Sequence, residues 1–521
     1  MSAQGITLVS TLLAAAALQA VGALAPTPEW RPKERWRGFN LCSMFWHGKQ
    51  HDPERPVPRF PEEDFALIRE WGFNFARLPI DYRWFTHGGD WEAIDEKALE
   101  PVDEAIAFGR KHGVHVMLCL HRVPGYCINK CEEEPANLFE SEEAKRVCEK
   151  YWRLFAKRYR GIPNDALTFN LMNEPPNIDD ETYGAVARRL IAAIRTEDPE
   201  RFVFSDGRCG GNAPSFSLVG MKGVAQSMRG YYPGSVSHYG ASWVSTDWST
   251  KPKPVWPLPE SLDAPAGILA GRGKAEMRRP LVFENLPAGE LALRFGTVSG
   301  DGTLVTSGDG QELGRVVLRP RVGDPLWPKA RLHERWKIVQ GRYAKAEKIA
   351  LPRPVKRLEM LFEGDWCCLT EVAVESAGRR AALAVRDGWG RPQNFTQRFL
   401  GFDADTPFAA VGANMARRYA DKGRETLWRK AFVEWRWGEM LDRGEFVMAS
   451  EFGAYNQTPH AVALAWLEDN LRLWKELNVP WALWNLRGGF GVMDSYRKDV
   501  AYEDFRGHKL DRKMLELLQK Y

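Results

Sequence analysis

From residue 38 onward, short apolar runs rich in β-forming residues alternate with longer segments of helical periodicity, and this rhythm constrains the chain more than any other feature. Such alternation argues for βα units wrapped around a parallel sheet. The runs are GFNLCSMF (38–45), FNFARLPI (73–80), VHVMLCLH (114–121), ALTFNLMNEP (166–175), FVFSDG (202–207) and SVSHYG (235–240). Between the early runs, Pro61 and the acids that follow it suit a helix N-terminus, and Gly113 closes a second helical segment. Ser141 caps a third. From about Pro257 to about Leu400 helical periodicity stops, and Gly-rich turns separate alternating segments such as LVFENL, ELALRFGTV and CCLTEVAVES, the pattern of an all-β sandwich. The alternation then resumes with FVMASEFGA (446–454) and PWALWNL (480–486). Eight strands with helical connections predict an α/β fold, a (β/α)8 TIM barrel interrupted by an inserted β-sandwich. A doubly wound open sheet would need a Gly-rich phosphate loop after the first strand, and FNLCSMFWHGK has none.

Residues 6–25 carry no charge and end in Ala23-Leu24-Ala25, which reads as an export leader over 1–25, a membrane anchor being the alternative. The expected organisation is then 26–256 and 401–521 as the two parts of the barrel and 257–400 as the insertion, leaving roughly 350 residues for one decorated barrel. Lys and Arg number 72 against 68 Asp and Glu, a net charge of +4, which excludes the basic footprint of a nucleic-acid binder. Eight Cys in a chain this long do not form a disulfide scaffold. Cys127 and Cys131 in GYCINKC suggest a loop disulfide or two free thiols, and the adjacent Cys367 and Cys368 suggest packed thiols on opposite faces of a strand. The 21 Trp exceed ordinary usage; most suit a core, but an indole also offers a flat platform for an apolar sugar face.

In a barrel the active site gathers at the C-terminal strand ends. The residues closing the runs are Asn40, Arg77, His121 and Arg122, Asn173 and Glu174, Asp206, His238 and Tyr239, Glu451, and Trp484 with Asn485. Glu174 and Glu451, on runs four and seven, form a carboxylate pair suited to glycoside hydrolysis, in which one protonates the leaving oxygen and the other attacks the anomeric carbon or activates water. A retaining enzyme needs such carboxylates about 5–5.5 Å apart. Trp46, Trp84, Trp243 and Trp248 fall just beyond strand ends, where they could line glycan subsites or simply pack.

ARLPI with Arg77, LHR with His121, FNLMNEP with Asn173 and Glu174, the His238 segment, SEFGA with Glu451 and ALWNLRGGFGV with Trp484 together resemble, in order and spacing, glycoside hydrolase family five, the cellulase family of clan A. The resemblance covers roughly residues 35–245 and 410–515. It implies double displacement with Glu174 as acid/base and Glu451 as nucleophile. By the same resemblance Asn173 holds the sugar 2-hydroxyl, Arg77 orients the nucleophile and keeps it ionised, and Trp484 floors the subsite at the cleavage point. His121 and His238 are expected as hydrogen-bonding partners at the mouth. The family usually has His-x-Tyr at strand six with the hydroxyl near the nucleophile. Here the sequence is His238-Tyr239-Gly240, so either Tyr239 is presented differently or that bond is missing.

The expectation is a secreted or periplasmic, monomeric endo-β-1,4-glucanase that acts on an oligo- or polysaccharide with no metal or organic cofactor, no nucleic-acid partner and no membrane association once the leader is removed. An exo-acting β-glycosidase or mannan-type hydrolase is the alternative, because a bulky insertion beside the mouth could block one end of the cleft. From another class, a non-catalytic carbohydrate-binding protein remains. The insertion resembles a carbohydrate-binding module in texture only.

Overall fold

The computed structural model describes residues 30–48, 56–87, 90–129, 133–244, 246–258, 268–272, 280–334, 336–382, 396–399, 402 and 419–521. The expected leader and Cys131 lie outside these residues. Among them, no helix is long and apolar enough to cross a membrane.

Eight strands close into a barrel: β1 (Arg37–Asn40), β2 (Phe75–Asp81), β3 (His115–Arg122), β4 (Leu167–Asn170), β5 (Val203–Asp206), β6 (Val224–Gly230), β7 (Val447–Phe452) and β8 (Trp481–Leu483). Neighbours pair in parallel from β1 to β6 and between β7 and β8. Every residue of β2 and β3 is buried, as continuous runs covered on both faces require. The connecting helices are α1 (Glu62–Glu70), α2 (Glu100–His112), α3 (Glu142–Arg158), α4 (Asp180–Glu197) and, between β7 and β8, α5 (His460–Glu476). Their boundaries follow local chemistry. Three acids open α1, Gly113 ends α2 in the left-handed region at φ 67°, and the Ser141 hydroxyl accepts the Ala144 N–H at 3.2 Å to start α3.

The sixth strand is displaced from its expected position. SVSHYG is the expected strand six, but Gly234–Ser237 is a single helical turn begun at Pro233, and the strand is VAQSMRG, which ends ten residues earlier. All seven of its residues are buried, and its polar members are satisfied inside: Gln226 exchanges two 2.7 Å bonds with the Ser215 backbone, and Ser227 bonds Asp206. Those polar residues break the apolar run on which the sequence reading depends.

The chain divides into two compact units, Met1–Gly211 with Ser215–Ser227 and Arg443–Met448, and Asn212–Pro214 with Met228–Asp442 and Ala449–Tyr521. In the first, Trp36 stacks on His115 at 4.0 Å, with Trp30, Phe75 and Phe204 beside them below the strands' N-terminal ends. Within the second, the residues between β6 and β7 form a ten-stranded, largely antiparallel sheet organised by two long strands, Gly289–Gly308 and Val355–Ser376. Register shifts near Phe295, Val298 and Gly302 interrupt their ladder, and apolar residues including Phe283, Leu293, Phe295, Leu304, Phe362 and Leu369 join one core cluster. Gly302 permits close approach: a Cβ there would lie 2.2 Å from the Phe362 ring. Among the described residues before β7, a helix begins at Lys422, continues as a π-helical stretch over Arg429–Glu434 and is followed by a short helix over Trp437–Asp442.

Candidate active site

In the first unit the C-terminal strand ends carry a buried polar network centred on Arg77. Its Nε donates to Asn170 Oδ1 at 3.0 Å, Nη1 to Asn40 Oδ1 at 3.0 Å, and Nη2 to Asn173 Oδ1 and Cys119 Sγ, both at 2.9 Å. The Asp206 carboxylate lies 3.9 Å from the same Nη2, and both side chains are fully excluded from solvent. The network therefore fixes Asn173, and the next residue is Glu174. That residue is half-buried and sits at φ 48°, a left-handed conformation costly for a side chain with a Cβ. Its peptide is held from both directions: the N–H donates to Asp206 Oδ2 at 2.9 Å and the carbonyl accepts the Tyr126 hydroxyl at 2.6 Å. Burial, then the nearby Glu174 carboxylate, pushes the Tyr126 phenol up, so it remains a proton donor.

His121 is buried edge-on to Phe45, with ring centres 5.5 Å apart. Arg122 instead braces loops, pairing with Glu134 at 2.5 Å and with Asp81 at 3.5 Å. Trp46 is 42% exposed, whereas Trp84 is buried against His47. Cys127 is a free thiol that burial pushes up to about 11.

In the second unit Glu451, on β7, is buried, and both carboxylate oxygens are engaged. Arg229 Nη2 lies 2.9 Å from Oε1, and the Tyr231 hydroxyl donates to Oε2 at 3.3 Å. Arg229 Nη1 also donates to Ser450 Oγ at 2.8 Å, so one guanidinium grips two successive side chains of β7. Sequence reasoning missed both Arg229 and Tyr231, because strand six was placed too late. The true strand runs out through Arg229-Gly230-Tyr231, which sets the guanidinium and the phenol on the two oxygens of Glu451. Gly230 is required between them, since a Cβ there would lie 2.7 Å from the Trp474 ring and 2.9 Å from Phe452 Cβ.

Tyr239 packs edge-on to Trp248 at 5.5 Å, and Trp248 itself donates to the Ala241 carbonyl. His238 stands 4.9 Å from the Tyr231 ring and shares a 2.7 Å bond with Ser237 Oγ. Burial pushes its imidazole down to about 4, leaving it neutral at ordinary pH. Trp243, Tyr455 and Phe490 extend this aromatic group, with Trp243 4.7 Å from Tyr455 and 54% exposed. Trp484 directly follows β8, half-buried, its N–H bonded to the Phe452 carbonyl at 2.7 Å, and its bond to Asn485 is cis. Among the described residues, no group of three or more His, Cys, Asp and Glu is arranged to hold a metal ion.

The family model for cellulase, glycosyl hydrolase family 5, matches residues 29–250. That match identifies residues 29–250 as a glycosyl hydrolase family 5 segment. Among curated family relatives, Cellodextrinase A of Ruminococcus flavefaciens is 26% identical over 215 residues, 40% of this chain and 61% of that protein. Endoglucanase C of Acetivibrio thermocellus is 25% identical over 210 residues, 40% of this chain and 60% of that protein. A stretch of 145 residues is 30% identical to a probable glucan 1,3-beta-glucosidase A of Emericella nidulans, covering 27% of this chain and 35% of that one. The chain thus spans about 60% of the length of the first two. A crystal structure described as a glycoside hydrolase aligns with a TM-score of 0.58 at 25% identity, covering 93% of this chain and 99% of that one.

Proposed function

We propose that this protein is a retaining glycoside hydrolase that cleaves β-1,4-glucan chains internally, with Glu451 as nucleophile and Glu174 as acid/base. The observation that carries the reading is the setting of Glu451: a buried carboxylate with a guanidinium on one oxygen and a phenol on the other, oriented and charge-compensated for attack. In the first step Glu451 bonds to the anomeric carbon as the glycosidic C–O bond breaks. The leaving oxygen keeps that electron pair and takes the proton of Glu174. In the second step Glu174 removes a proton from water, the water oxygen bonds to the anomeric carbon, and the ester to Glu451 breaks.

Asn173, clamped by Arg77, is positioned for the 2-hydroxyl, and Trp484 floors the cleaved sugar. Neutral His238 is suited to hydrogen bonding at the mouth, and the exposed faces of Trp46 and Trp243 suit stacking on further sugar rings. Trp336, in the turn between strands Arg331–His333 and Ile338–Arg342 of the insertion, is 57% exposed and stacked on His333 at 4.2 Å, which supports a glycan-contacting role for the insertion. Export by the leader over 1–25 and action as a monomer belong to the same reading. The endo assignment draws on relatives named endoglucanase. Those named cellodextrinase and glucan 1,3-beta-glucosidase favour an exo-acting alternative.

A 2-deoxy-2-fluoro β-glycoside is expected to label Glu451, located by peptide mass spectrometry. An inverted product, or full turnover by Glu451→Ala, would reject the mechanism. Rapid viscosity loss on a soluble β-glucan separates endo from exo action.

A further inference from the structure

We infer that Asp206 is a positioning residue for Glu174: from the end of β5 its carboxylate holds the acid/base residue's peptide in a left-handed conformation and ties it to the Arg77 network. The inference rests on the assignment of Glu174 as acid/base.

Asp206 is wholly buried, and each of its oxygens is used. Oδ2 accepts the Glu174 N–H at 2.9 Å and faces Arg77 Nη2 at 3.9 Å. Oδ1 accepts from Asn170 Nδ2 at 2.8 Å and from the Ser227 hydroxyl. The Asp206 carbonyl accepts the Tyr183 hydroxyl at 2.9 Å. Residues on β2, β4, β6 and α4 therefore fix one carboxylate group and its own backbone.

Removing a carboxylate from water is costly, and merely joining two strand ends does not need a charge. An ionised acceptor makes a shorter and stronger bond to an amide N–H than a neutral one does. The bond goes to the peptide that most needs it, since Glu174 at φ 48° is held against its intrinsic preference. Tyr126 grips the other side of the residue through its carbonyl. With both peptide groups fixed, the Glu174 Cα–Cβ direction is fixed too. An acid that must deliver its proton along one line to a leaving oxygen depends on that direction.

Asp206→Asn tests this, because it keeps the shape while removing the charge and one acceptor. Wild type, Asp206→Asn, Tyr126→Phe and Glu174→Ala are compared on phenyl and 2,4-dinitrophenyl β-glycosides of the sugar that the wild type turns over. Dinitrophenolate departs without a proton, whereas phenolate needs one. Misdirecting the acid is expected to lower kcat/KM on the phenyl glycoside about 100-fold in Asp206→Asn. On the dinitrophenyl glycoside the expected fall is less than about fivefold, since no proton transfer assists that departure. Tyr126→Phe is expected to show the same split in weaker form. Equal losses on both substrates, or no loss on either, would overturn the positioning role, because a general loosening of the fold cannot distinguish leaving groups. If circular dichroism shows Asp206→Asn unfolded, Tyr126→Phe decides: no split there overturns the inference. Should Glu174→Ala itself show no split, the acid/base assignment fails first. A split in Glu174→Ala without one in Asp206→Asn defeats the positioning role alone.

Discussion

Removing the Arg229 side chain is expected to slow attack by Glu451 in a graded way that the geometry ranks. Arg229 Nη2 sits 2.9 Å from Glu451 Oε1, with both side chains almost wholly buried. A hydrogen bond to a charged group contributes about 1.5–3 kcal/mol. At about 1.4 kcal/mol per decade of rate, that corresponds to a loss of about 10- to 150-fold if the bond is made in the transition state. The Tyr231 bond, at 3.3 Å, is stretched beyond the ordinary O–H···O range, so only about 0.5–1.5 kcal/mol, or about 2- to 12-fold, is expected for Tyr231→Phe. Arg229→Lys keeps a cation but cannot hold Ser450 Oγ and Glu451 together as the planar fork does, and should fall between the other two. The assay is the rate at which a 2-deoxy-2-fluoro glycoside labels Glu451, because it isolates the first chemical step. Arg229→Ala also breaks a buried pair, at about 3–5 kcal/mol of stability, so folding is checked by circular dichroism at the assay temperature. Folded Arg229→Ala labelled at the wild-type rate would refute the reasoning, as would Tyr231→Phe being the slower of the two.

Trp243→Ala removes an exposed indole and should raise KM for a long oligosaccharide about 2- to 12-fold, while kcat on a short aryl glycoside stays unchanged; an unaltered KM would count against a sugar platform there. Burial pushes His115 down to about 3 from an ordinary 6.5. As pH falls through that window the unfolded chain takes up a proton that the folded one does not, so stability present above about pH 6.5 is lost toward pH 3, by about 5 kcal/mol in full. Denaturant unfolding near pH 7 and near pH 4 should show this loss, and His115→Gln should flatten it; an equally steep variant would reject His115 as the source. Phe283→Ala in the core of the inserted sheet should cost about 3–5 kcal/mol, and a change below about 1 kcal/mol in the unfolding midpoint would contradict its place in that core.

What the sequence revealed about this site depended on whether apolar runs ended cleanly in polar residues. Arg77 lies within the apolar run of β2, Asn173 and Glu174 follow β4 by three and four residues, and Glu451 is next to last in β7, so barrel topology and the family pattern found them together. Arg229 and Tyr231 escaped because β6 carries Gln226, Ser227 and Arg229 within a seven-residue strand, and polar residues satisfied inside a barrel look like a loop when read alone. The stop signal was present: Pro233-Gly234 comes three residues after the strand's end, and Arg-Gly-Tyr stands just before it. Asp206 was seen as a strand end, but its bond to the Glu174 N–H depends on a left-handed backbone at a non-glycine residue, which no periodicity announces. In the insertion, turn signals located the strands. The continuity of the two long ones was hidden because bulges interrupt their alternation.

The crowding at Gly230 bears on how this site can change over generations. Arg229 and Tyr231 both act on Glu451 and are joined by one residue whose Cβ position is already occupied by Trp474 and Phe452. Any side chain at 230 shifts both partners of the carboxylate at once, so variation there is all-or-none, with no graded intermediates for selection to sort. Change in substrate preference must therefore enter from positions such as Trp243, whose exposed ring can be exchanged without moving the strand that carries the chemistry. A library built to retune this protein should hold 229–231 fixed and vary the loop beyond it.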